Sequence, residues 1–189
     1  MEIIKEKMIT GYPNTITYEC TKKIIEQMEN NICKIKIGEV KGTGFFCTIP
    51  FPNKDKMLNV MMTNNHVIND KLLYDYNSKI EINIKKENKP KELDLNDRLK
   101  YTNIEYDITI IEIKEKDEIK NFMEIDEEIF KNNSNILYNN KSIYIIQYPL
   151  SDKVKVSYGI INNINEYSIE HYCCTESGSS GSPIINLLI

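Results

Sequence analysis

The chain has 189 residues and a net charge of −4, with 41% hydrophobic and 28% charged residues. That length suits one domain or two small fused ones, and the apolar share suits a packed core. The acidic balance lacks the basic stripe that nucleic-acid binding requires.

The opening residues, MEIIKEKMIT, interleave charges and contain no apolar stretch of the kind a secretory signal carries. No window approaches the roughly 18 consecutive apolar residues of a membrane span, so neither a nucleic acid nor a membrane is expected as a partner. Residues 1–31 read as an N-terminal extension in which 21–30 (TKKIIEQMEN) form one short helix, with a capping threonine and apolar Ile24, Ile25 and Met28. Strand-like runs follow at 32–37, 42–51, 58–63, 79–84 and 107–113, setting off a first strand-rich unit over 32–114. Within it, 85–100 mixes both signs of charge around Pro90 and reads as a solvated loop. A charged, helix-permissive connector over 115–135 leads to a second set of runs at 142–148, 153–161, 167–174 and 183–189. β-branched and aromatic residues fill these runs and Gly, Pro and Asn separate them, so the expected class is all-β, sandwich or barrel.

The five cysteines (20, 33, 47, 173 and 174) are odd in number, include an adjacent pair and show no CxxC spacing. This argues against a disulfide framework and against a zinc ribbon. Burial as small apolar residues in a reducing, cytoplasmic compartment is expected. A cluster of His171, Cys173 and Cys174 is the weaker, metal-binding alternative.

Gly178-Ser179-Ser180-Gly181-Ser182-Pro183 is the segment richest in chemistry. Two glycines among small residues permit a tight turn that lifts a hydroxyl clear of the fold and aims backbone N–H groups at one point. A hydroxyl nucleophile needs a base, and the chain has two histidines. His66 follows the run LNVMMT, where a strand end presents an imidazole at a rim, whereas His171 sits inside a strand-like run and suits a wall-lining role. Asp107 heads DITIIEI, where a carboxylate is costly to bury unless paired, and an imidazole N–H is a suitable partner. Each residue also has a plain reading: a Ser/Gly loop, a structural histidine, an exposed strand-edge acid. Chain order separates the triads, because His66, Asp107, Ser180 matches only the chymotrypsin-type order and no histidine follows Ser180.

The blocks GTGFF, TNNHVI, YDITIIEI, YIIQYP, SYGIINNI and TESGSSGSPIIN resemble, in order, those of trypsin-like serine peptidases, nearest the HtrA/Deg-like or glutamyl-endopeptidase-like branch. The resemblance spans about residues 32–189 and implies two antiparallel β-barrels of the chymotrypsin type. It implies a serine endopeptidase acting on protein or peptide substrates through His66, Asp107 and Ser180, without metal or organic cofactor. The oxyanion hole would be the N–H groups of Gly178 and Ser180, and Cys174 and Thr175 are candidates for the substrate pocket. Family members continue through further strands after the serine motif, whereas this sequence stops nine residues beyond Ser180. A second barrel over 136–189 that is incomplete, with an open strand prone to self-association, is therefore expected. A catalytically inactive, protease-like binding module, or a truncated fragment, is the alternative.

Overall fold

The computed structural model describes residues 13–187 except 77, 88, 132, 133 and 152. Helix α1 (Tyr18–Asn30) begins three residues before the stretch that its apolar spacing marks. The reason is its cap: Thr17, in extended backbone, accepts the Cys20 N–H on its hydroxyl at 3.1 Å. An N-cap bond of this kind contributes about 1 kcal/mol. The inward face of α1 buries Ile24 beside Tyr144, Ile146 and Ile185, and the Tyr144 hydroxyl donates to Gln27 Oε1 at 2.6 Å.

Seven strands then form one curled antiparallel sheet: β1 (Ile32–Ile37), β2 (Val40–Pro50), β3 (Met57–Thr63), β4 (Lys79–Ile84), β5 (Lys91–Asp94), β6 (Lys100–Asn103) and β7 (Ile108–Glu112). Their spatial order is β5-β4-β1-β2-β3-β7-β6. Alternation places Cys33, Ile35, Phe46, Met61, Ile82 and Ile111 in its core, each fully buried. A fully buried Ile or Phe contributes about 1.5–3 kcal/mol of transfer free energy, so this cluster is the main stabilising body of the first half.

The stretch 85–100 is not a loop. It contains β5 and leads into β6, because Leu93 and Leu95 turn into the core while Glu92 faces outward and Asp94 between the leucines is half-buried. The charged connector holds a two-residue strand, β8 (Met123–Glu124), parallel to β2, and single turns of helix at 115–117 and 127–130 before the short helix Ser134–Tyr138.

The second half is a four-stranded antiparallel sheet built from β9 (Ser142–Gln147), β10 (Lys155–Ile164), β11 (Ile169–His171) and β12 (Ile184–Asn186), in the order β11-β10-β9-β12. Strand β9 is buried along its whole length, as its apolar centre IYII demands, with the polar ends Ser142 and Gln147 buried as well. The run 167–174 shortens to β11, since the Cys173 N–H turns back to His171 Nδ1 at 3.2 Å. Of the run 183–189, the strand comprises Ile184–Asn186, and residues 188 and 189 lie outside the described residues. The architecture is thus mostly β: a chymotrypsin-like fold with one curled half-barrel and a second, partial barrel.

Candidate active site

His66 stands in a turn just beyond the end of β3. The Val67 and Ile68 N–H groups both return to Asn64 O at 3.2 Å. Three side chains pin this turn to the β6–β7 hairpin. Asn64 Nδ2 donates to Asp107 O at 2.8 Å, Asn65 Nδ2 donates to Thr102 Oγ1 at 2.7 Å, and the buried Thr109 hydroxyl donates to Ile68 O at 2.7 Å. Asp107 is not the first residue of β7 but the last of the preceding turn, with φ of 48°. Aspartate is among the few residues that tolerate this left-handed region. The geometry turns its carboxylate toward the histidine: Oδ2 accepts the imidazole Nδ1–H at 2.7 Å and Oδ1 accepts the His66 backbone N–H at 2.9 Å. A carboxylate held at two points in this way fixes the Nδ1–H tautomer and leaves Nε2 as the free lone pair. The pair is partly open to solvent, with 57% of the His66 and 42% of the Asp107 side chain exposed.

Ser180 lies in the turn between two left-handed glycines, Gly178 at φ 92° and Gly181 at φ 86°. A Cβ on Gly181 would lie 2.1 Å from Thr43 O and 2.4 Å from Thr63 Oγ1, so only glycine fits there. Thr43 is the anchor of this turn. It is wholly buried; its hydroxyl donates to Gly178 O at 2.9 Å and accepts the Tyr148 N–H at 3.0 Å, while its own N–H donates to Ser180 O at 2.8 Å. The first sheet therefore holds the serine turn from β2, on both sides of the hydroxyl.

Within the turn the Ser179 N–H donates to Glu176 O at 3.0 Å, and the buried Ser179 hydroxyl accepts the Glu176 N–H at 3.1 Å. Among the described residues, neither the Gly178 nor the Ser180 N–H has an acceptor. Two unspent donors two residues apart are the chemical requirement for binding an oxyanion. A cavity of about 210 Å³ is lined by Tyr106, Asp107, Gly181 and Ser182 together, so the acid's turn and the serine turn face each other. No hydrogen bond joins His66 to the Ser180 hydroxyl among the described residues. Contacts of that kind commonly tighten only with substrate in place. Cys174 and Thr175 are both exposed on the segment that leads into the turn, and Gln147 Nε2 donates to Cys174 O at 3.0 Å. His171 stands apart from this group on β11, partly buried, and that burial lowers its pKa.

Thr43 and Asn64 escaped the sequence reading. Both stand inside blocks that the resemblance had marked, GTGFF and TNNHVI, and a polar residue between two glycines in an apolar strand is the signal for Thr43.

The trypsin-like peptidase domain matches residues 42–188. Among curated proteins no relative matches this chain by sequence. Solved structures do match. A serine endoprotease from Yersinia pestis superposes with a TM-score of 0.62 at 18% identity, over 93% of this chain and 56% of that one. Deg5 gives 0.62 at 17% identity over 89% and 80% of the two chains, and an inactive form of Rv3671c from M. tuberculosis H37Rv gives 0.57 at 15% over 92% and 78%. The chain thus spans little more than half the length of the Yersinia enzyme. Identities this low establish the fold, and the domain match covers most of the sequence: the chain belongs to the trypsin-like peptidases, with structural neighbours among the HtrA and Deg serine proteases.

Proposed function

We propose that this chain is a serine endopeptidase in which His66, Asp107 and Ser180 form the triad. The observation that carries the reading is the 2.7 Å bond between His66 Nδ1 and Asp107 Oδ2 on a turn facing the Ser180 loop. In this mechanism Ser180 Oγ attacks the scissile carbonyl while His66 Nε2 takes its proton. The tetrahedral oxyanion is received by the N–H groups of Gly178 and Ser180. Collapse expels the amine, to which His66 returns the proton, and water then hydrolyses the acyl-enzyme by the same relay. Asp107 holds the imidazole in its tautomer and stabilises the imidazolium. Cys174 and Thr175, leading into the turn, are the proposed lining of the substrate pocket. The five free thiols support a reducing, cytoplasmic setting. No helix among the described residues is long and apolar enough to cross a membrane.

Labelling with a fluorophosphonate probe tests the assignment. The wild type should react, Ser180→Ala should not, and Asp107→Asn should react on the order of 10⁴ more slowly, because an amide in place of the carboxylate favours the wrong imidazole tautomer. The second reading, a protease-like binding module, is favoured by the missing His66–Ser180 hydrogen bond. A folded wild type that never labels would overturn the endopeptidase reading and leave this one standing.

A further inference from the structure

We infer that Tyr167, on the hairpin turn between β10 and β11 of the second sheet, is a positioning residue for Asp107 and acts through the ring of Tyr106; the inference rests on the triad reading above. Asp107 stands at the end of a turn with little internal restraint. Its N–H reaches Ile104 O at 3.4 Å, near the limit of a hydrogen bond, and its φ is in the sparsely populated left-handed region. The turn needs support from outside. Asn64 and His66 supply it on one side, through Asp107 O and the carboxylate itself. On the other side the neighbouring residue, Tyr106, has its N–H tied to Asn103 Oδ1 at 2.9 Å and its ring laid against Tyr167, centroids 5.3 Å apart and planes 30° from parallel.

Tyr167 arrives on the hairpin between β10 and β11. Its hydroxyl donates to Glu166 Oε1 at 2.7 Å, on the same hairpin. The stack therefore spans from one half of the molecule to the other, one residue from the catalytic acid, although its rings are 50% and 70% exposed. Tyr106 and Asp107 also line the cavity that Gly181 and Ser182 border. A shift of the Tyr106 turn would move the carboxylate relative to both histidine and serine. The second sheet thus contributes to the acid's orientation as well as the nucleophile. The ring face is what matters in this arrangement, and the Tyr167 hydroxyl is dispensable.

The test combines kinetics on a fluorogenic peptide that the wild type cleaves with NMR of the His66 Nδ1–H resonance, which is simple to assign in a chain with two histidines. An aromatic pair of this kind biases a local equilibrium by roughly two- to tenfold. Tyr167→Ala should lower kcat by roughly that factor at constant KM, and Tyr167→Phe should restore it. Adding Tyr106→Ala to Tyr167→Ala should cost no more than either alone. The Nδ1–H resonance should broaden and exchange faster in Tyr167→Ala and recover in Tyr167→Phe. A raised KM at unchanged kcat would make the stack a substrate shelf and overturn the inference. An unchanged resonance overturns it whatever the kinetics. If the wild type cleaves nothing, the endopeptidase reading fails while the resonance still decides this one.

Discussion

Thr43 illustrates how one buried side chain can govern a site it does not enter. Its hydroxyl serves Gly178 O and the Tyr148 N–H at once, in a position with no solvent exposure. Thr43→Val keeps the shape and removes both bonds, leaving a buried carbonyl and a buried N–H unpartnered. Each orphan costs about 1–3 kcal/mol, so a loss of roughly 2–6 kcal/mol is expected in urea denaturation, with probe labelling of Ser180 reduced further than stability alone explains. The cysteines divide just as sharply. Burial pushes the Cys47 thiol up to about 12 and the Cys173 thiol up to about 11, and raises Cys33 strongly, so these three should be inert. Cys174, against the expectation of general burial, is exposed, and Cys20 is half-buried. Under native conditions iodoacetamide should modify Cys174 first, as peptide mapping would show. Rapid modification of Cys33 or Cys47 in the folded chain would contradict the packing described.

At the scale of elements, the stretch that sequence reading missed is held by a charge pair. Arg98, the one arginine, lies between β5 and β6 with its side chain fully buried, and meets Asp117 Oδ2 at 2.9 Å and Oδ1 at 3.1 Å. It also donates to the carbonyls of Asp94 and Glu112, so β5, β7 and the connector converge on one guanidinium. Lysine, with a single point of charge, could not satisfy these partners. Arg98→Met strands a buried carboxylate and should destabilise by about 3–5 kcal/mol. Burial acts to raise the Asp117 pKa, but the Arg98 hydrogen bonds, the Lys114 N–H and the charges of Arg98 and Lys116 outweigh it and hold the carboxyl below its usual value. A folded pKa below the unfolded one gives stability that is complete above the unfolded value, near 4, and lost as pH falls through the folded value. The urea midpoint should therefore decline below about pH 4, and Asp117→Asn should flatten that decline. These details explain what was legible. Strands β1, β4 and β9 announce themselves by isoleucine-rich runs, β3 by its largely apolar run MLNVMMT, and the motifs of His66, Asp107 and Ser180 by their residue types. The edge strands β5 and β6 do not, because Leu93, Leu95 and Leu99 stand singly within a charged stretch, and the contact that orders it joins residues distant in sequence. Asp107 as a turn residue was likewise hidden, since its positive φ arises from the hairpin rather than from the pattern of DITIIEI.

For the whole molecule the consequential feature is the end of the second sheet. Strand β12 is bonded to β9 and to no other strand among the described residues. Beside it an apolar cavity of about 280 Å³ is lined by Phe45, Met62 and Met123 from the first half and Ile143, Ile161 and Ile185 from the second. Natural proteins guard such an edge with charge, proline or a covering element. Here the strand presents Ile184, 36% exposed, and no charged residue in Ile184–Asn186. An apolar edge next to an apolar hollow is a template for a strand of another chain, and a second copy can pair through the same edge by two-fold symmetry. We therefore predict concentration-dependent self-association of the wild type, seen as a rise in weight-average mass by light scattering between micromolar and hundred-micromolar protein. Ile184→Lys places a charge on the edge while leaving the buried Ile185 in place, and should give a monomer with an unchanged circular dichroism spectrum. Association should also weaken little with added salt, because the contact is apolar and backbone-mediated rather than ionic. A wild type that stays monomeric throughout that range would show that the edge is protected by something other than its sequence.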